Sequence, residues 1–257
     1  MTRREREFEK KTKALIAGVD RLQDNEVRRV MLMLEDARRE VASMVASTEW
    51  KTYYIPQMKA AVDSAIERLR QRYQSSQSAA LQNSFNAGID MVDLPLSSVG
   101  FRFVGPEISR TVLEIGQGYS ADLIKGLTAD ALKRVNGEIM MGIMGGKQPY
   151  DVMQAVGKNL DDPGVFGTIA SRAEAITRTE MGRINSSARE ARIQGTVGNT
   201  EPPMKWMKKW VSSGKAKPRK HHAALNGVTI PVDEKFMGYI DYPHAPGLPA
   251  KEVVNCG

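Results

Sequence analysis

"PQMKAAVDSAIERLRQRYQSSQSAALQNSFNAGID", residues 56–90, decides the fold class. Met58, Val62, Ile66, Leu69, Tyr73, Leu81 and Phe85 recur mostly at steps of three or four, which is the repeat of one apolar face on an α-helix. Pro56 suits a first helical turn, where its missing N–H costs no hydrogen bond. Such a helix spans roughly 50 Å at about 1.5 Å per residue. That length fits an arm, a hairpin or a contact between copies; an ordinary antiparallel bundle is the plainer expectation.

The same texture extends upstream. "FEKKTKALIAGVDRLQ" (8–23) sets Phe8, Leu15, Val19 and Leu22 roughly on one face. "DNEVRRVMLMLEDARREVASMV" (24–45) reads as a separate helix, with Asp24 as its cap and Val27, Val30, Met31, Leu34, Val41 and Val45 as its stripe. Downstream, "VDLPLSSVGFRFVGPE" (92–107) interrupts the pattern with prolines, glycine and the alternating "VGFRFV", predicting a turn and one short strand. A boundary here divides a helical region, 1–95, suited to self-association, from a second domain, 96–257.

Helices resume over 106–127, 128–146, 148–160 and 167–196. Thr128 and Gln148 stand at expected N-termini, Gly145–Gly146 at a stop, and the last helix ends near Gly195. Then the texture changes: "MKWMKKWV" (204–211) and "GVTIPV" (227–232) read as strands, the second behind an Asn-Gly turn, before a Pro- and Gly-rich irregular tail. The fold class is α+β, mostly α: long N-terminal helices followed by a small mixed α+β C-terminal domain.

Composition narrows the function. No window approaches the roughly eighteen apolar residues of a membrane span, so no membrane partner is expected. The charged opening "MTRREREFEKKTK" lacks the apolar segment of a secretory signal. A single cysteine, Cys256, excludes an internal disulfide. The net charge is +7, and the window 202–232 alone holds seven Lys/Arg (Lys205, Lys208, Lys209, Lys215, Lys217, Arg219, Lys220) and no Asp or Glu. These seven are candidate contacts to an anionic partner such as DNA. Trp206 and Trp210 among them either stack on bases or, sharing one strand face with residue 208, plug the core; the core reading is favoured.

Two polar constellations invite chemistry. In "ITRTEMGRINSSARE" (176–190), Glu180 beside Arg183 suits a general base, or a buried ion pair joining the helix to the strands. In "PRKHHAALNGVTI" (218–230), His221 and His222 are adjacent. Either one with His244 and Cys256 would make a three-ligand metal set, but adjacent histidines in an extended segment point apart. The favoured reading is structural: one histidine buried near the turn, its neighbour outside. No phosphate loop, dinucleotide fingerprint, HExxH or GxSxG occurs, so no cofactor is expected.

Taken in order, "ITRTEMGRINSSA", "KWMKKW", "RKHHAALNGVTIPV" and "F…YPHAPGLPAKEVVNCG" resemble the Mu F-like head morphogenesis family of tailed phages, the SPP1-type minor head proteins. The resemblance covers about Leu132 to Gly257. By position it picks out Arg178, Thr179, Glu180, Asn185, Trp210, His222, Leu225, Gly227, Phe236, Tyr242, Pro243, Asn255 and Cys256. His222 aligns with the family's histidine and His221 is extra. The family often ends in N-C-x-C where this chain reads "NCG". It often carries an acidic residue where this chain has the wholly basic "SSGKAKPRK" (212–220).

The resemblance implies a minor capsid component inside the phage head, present in host cytoplasm during assembly. It would associate with the portal protein, and scaffold or major capsid protein are further candidate partners. Its expected roles are procapsid assembly and DNA packaging or ejection, with non-specific binding of double-stranded DNA and no enzymatic activity. The alternative is a nuclease or transferase using Glu180 and His222.

Overall fold

The computed structural model describes residues 2–47, 50, 54–101, 107–162, 164–197, 199, 205–212 and 219–253. Its long elements are α1 (Arg3–Ser47), α2 (Ile55–Ser98), α3 (Thr111–Ile143) and α5 (Val165–Val197), with the short α4 (Pro149–Val156) before the last. There follow β1 (Met207–Lys209), α6 (Lys220–Leu225), β2 (Thr229–Pro231) and α7 (Ala250–Val253). The chain is thus mostly α with a small antiparallel ladder near its C-terminus, as the sequence pattern predicts.

Several expected interruptions are continuous helix. The two N-terminal helices are one, α1, because the segment around Asp24 contains no glycine or proline to stop it. Asp24 is no cap; it accepts a hydrogen bond from Arg178. Thr128 likewise lies inside α3, its hydroxyl donating back to the Ile124 carbonyl. Pro95 falls within α2, which runs on to Ser98 through the stretch expected to break. The strand expected over 99–104 is not seen at Phe101, and 102–104 lie outside the described residues. Gln148 does cap α4, completing a capping box with Asp151.

The chain forms two compact units, each drawing on residues from both sides of position 95. The first holds residues 25–78 and 118–177. It is a helical bundle whose core repeats at helical spacing: Val30, Leu34, Val41 and Val45 from α1, Val62, Ile66 and Leu69 from α2, and Ile124, Leu127, Ala131 and Val135 from α3. Tyr73 is fully buried there. Its hydroxyl lies 2.9 Å from both the Ala173 carbonyl and the Thr177 hydroxyl, and burial pushes the phenol above its usual range. Arg38 binds Glu35 and donates to the Gly157 carbonyl at 2.9 Å, fastening the turn that follows α4. Arg38 and Arg39 hold the Glu35 carboxyl down at about 2.

The second unit holds residues 1–24, 79–117 and 178–257. Leu81, Phe85, Leu113, Met181 and Ile184 form one of its cores, and Trp210, Leu225, Phe236 and Ile240 another. β1 pairs with β2 in the register Met207↔Pro231, Lys208↔Ile230 and Lys209↔Thr229. Gly227, at φ +86°, closes the turn between α6 and β2; its N–H donates to the Trp210 carbonyl at 2.9 Å.

Candidate functional site

The described family-like residues all fall in the second unit, and the part of α5 from Arg178 onward is its spine. Arg178 donates to Asp24 at 2.9 Å. Thr179, Glu180, Asn185 and Ser186 are buried, although a polar sequence on one helix reads at first as a solvated face. Glu180 accepts a hydrogen bond from Arg183 at 3.1 Å; burial raises its carboxyl above the usual range and the Arg183 charge opposes the rise. Asn185 donates to the Ser84 carbonyl of α2 at 3.1 Å. Further along, Arg192 clasps Asp93 with two parallel bonds of 2.6 and 2.8 Å.

The segment Tyr242–His244 covers this face. Tyr242 is hydrogen-bonded to Ser187, and burial pushes its phenol up. His244, after Pro243, holds a left-handed φ of +62°. Its ring lies so close to Gly182 that a Cβ there would stand 2.9 Å from Nε2. Only glycine leaves room for the imidazole.

The ladder is anchored by Trp210, which is buried edge-on to Phe236 at 5.2 Å between centroids and lies 5.7 Å from the His222 ring. Trp206 departs from the expected core position: it is half-buried, edge-on to Phe101 at 5.6 Å. β1 is too short to carry both indoles onto the core face, and Lys208 takes the intervening place.

The seven basic candidates divide. Lys208 is half-buried, donating to the Asp241 carbonyl at 3.0 Å and lying 5.7 Å over the Phe236 ring. Lys209 is exposed, 3.6 Å from Glu9. Arg219 is half-buried, while Lys205 and Lys220 are exposed. Lys215, Lys217, Asn255 and Cys256 lie outside the described residues.

The histidine pair sits differently from the extended segment expected. Lys220–Leu225 is helical, so the adjacent rings do not point apart; their centroids are 4.5 Å from one another. Both Nε2 atoms face one carboxylate oxygen of Glu252 on α7, at 2.8 Å from His221 and 3.0 Å from His222. His222 is buried and His221 more than a third exposed. Glu252 is itself buried, and the hydrogen bond from His221 leads the effects that hold its carboxyl below the usual range. Burial, with the neighbouring His221 and Arg219, lowers the His222 imidazole, and Glu252 opposes this.

Glu180 and His222, paired in the enzymatic alternative, therefore engage different partners, Arg183 and Glu252. Sequence reasoning singled out neither Glu252 nor Gly182. A lone glutamate in "AKEVV" carries no local signal, and Gly182 becomes legible only once a ring is seen against it.

Residues 133–256 match the family described as Phage Mu protein F like protein, agreeing with the resemblance carried by the motifs. No curated protein and no solved structure matches the chain. No described helix is long and apolar enough to cross a membrane.

Proposed function

From the match of residues 133–256 to the Phage Mu F-like family of head morphogenesis proteins, we propose that this chain is a phage head protein, a portal-associated minor component binding DNA without sequence preference. The family match carries the reading. The head family places it with the virion; portal contact, packaging and DNA binding are the finer steps.

What supports these steps is the disposition of polar groups. Arg178, Glu180, Asn185, Tyr242 and His222 are consumed by contacts inside the unit, which is the behaviour of a scaffold. Lys205, Lys209 and Lys220 stay at the surface, where they can meet phosphates. Non-enzymatic action is part of the proposal, and the separate engagement of Glu180 and His222 favours it over a nuclease or transferase.

Two experiments test it. Co-sedimentation with portal rings of the same phage should recover the protein in the ring fraction; a protein left in the supernatant removes the portal step. Gel shifts on duplex DNA should show binding at low salt that weakens steeply as salt rises. The log–log slope is bounded near 6 if all seven basic residues release counterions, and falls by about 2 on replacing Lys205 and Lys220 by alanine. No shift at low salt removes the DNA step and leaves the portal step standing. Cleavage of DNA by the wild type that Glu180→Gln abolishes would reinstate the enzyme.

A further inference from the structure

We propose that His221, His222 and Glu252 form a binding site for one divalent transition cation of the zinc class, tying α6 to α7. This inference is independent of the head-protein reading, since it rests on donor geometry alone.

The three side chains each offer one ligand atom, and these atoms all lie within 4.8 Å of one another. A tetrahedral ion with bonds of about 2.0–2.1 Å to nitrogen and oxygen needs donors roughly 3.3 Å apart. The two nitrogen–oxygen separations, 2.8 and 3.0 Å, are within a few tenths of that value. The third separation, between the two imidazole nitrogens, is within 4.8 Å, so side-chain rotations that set all three donors about one point would admit an ion.

Charge and burial point the same way. Glu252 carries its carboxylate into a buried position, where an anion needs a compensating positive charge. His221 meets part of this need through its hydrogen bond, but only one imidazole can carry the charge, because protonating both would set two cations side by side. A dication bound through neutral nitrogens would balance the carboxylate without that repulsion. His221, more than a third exposed, leaves an approach from solvent.

The donor set also selects the ion. Two imidazoles and one carboxylate suit zinc, cobalt, nickel or copper, whereas magnesium and calcium want oxygen ligands. Arg219 and Lys220 adjoin the histidines in the sequence, so cations are not drawn here by long-range attraction. Coordination has to supply the affinity, which sharpens the preference for nitrogen-seeking metals.

The test uses the full chain with any affinity tag removed. Metal-stripped protein is titrated calorimetrically with Zn²⁺, Mg²⁺ and Ca²⁺, and its melting is followed in parallel. The expected result is one Zn²⁺ per chain with a raised Tm, and no response to Mg²⁺ or Ca²⁺. His221→Ala and Glu252→Gln should each weaken Zn²⁺ binding by about 100-fold or more, beyond the usual cost of losing an outer-shell partner. His221 is the safer variant because its ring is partly exposed, and a circular dichroism spectrum confirms that it folds. Cys256→Ser should bind Zn²⁺ as the wild type does.

Three results overturn the proposal. One is no Zn²⁺ binding by folded wild type. Another is undiminished binding by folded His221→Ala or Glu252→Gln. The third is loss of binding in Cys256→Ser, which would move the site to the thiol.

Discussion

Glu180 shows how a buried side chain turns into a pH dependence. Its carboxyl is raised by burial, so between the ordinary glutamate value of 4.5 and the raised one the folded state binds more proton than the unfolded. Stability contributed by this residue is therefore present at low pH and lost as pH rises through that window. Glu180→Gln cannot titrate, so the wild-type Tm minus the variant Tm should fall as pH rises above the ordinary glutamate value of 4.5. A difference that rises instead would mean that Arg183 outweighs the burial. The sequence showed Glu180 and Arg183 sharing a helical face; it did not show that the face is covered. That depends on Tyr242 and His244, some sixty residues later, whose approach to Gly182 no local pattern encodes. The histidines are legible in the sequence as a pair but not in their geometry, because no local pattern separates a helix of six residues from extended chain.

Among the elements, the contact between α2 and α5 is set by one missing side chain. A Cβ on Gly88 would lie 2.4 Å from the Asn185 carbonyl oxygen and 3.1 Å from the Arg189 backbone nitrogen. Alanine normally stabilises a helix interior over glycine by about 0.5–1 kcal/mol. Here the backbone of α5 cannot swing aside, and Gly88→Ala should destabilise by about 1–3 kcal/mol, read as a lower urea midpoint. An unchanged or higher midpoint would place the two helices farther apart. Helix existence was readable throughout from apolar spacing, and helix ends were not. Asp24 and Thr128 have capping chemistry, yet the chain continues through both, because no glycine or proline adjoins Asp24 and the Thr128 hydroxyl donates back into its own helix. The break expected near Pro95 fails similarly: the two bonds between Arg192 and Asp93 hold that turn against α5.

Over the whole chain, the family likeness of residues 133–256 was legible because its motifs lie in linear order, and the compact units were not, because they interleave. Unit membership depends on which stretch of each long helix packs with which, and a period of three or four says nothing about that. The interleaving has a consequence for how such a gene can vary. Residues 1–24 and 178–257 build the same unit, so any single crossover between two divergent parents within 25–177 joins ends that never evolved together. Chimeras with a junction in that interval should melt below both parents, whereas exchange beyond residue 178 disturbs fewer partnerships. A mosaic history for this gene is then expected to show its recombination scars near the extremities, with the middle inherited as a block.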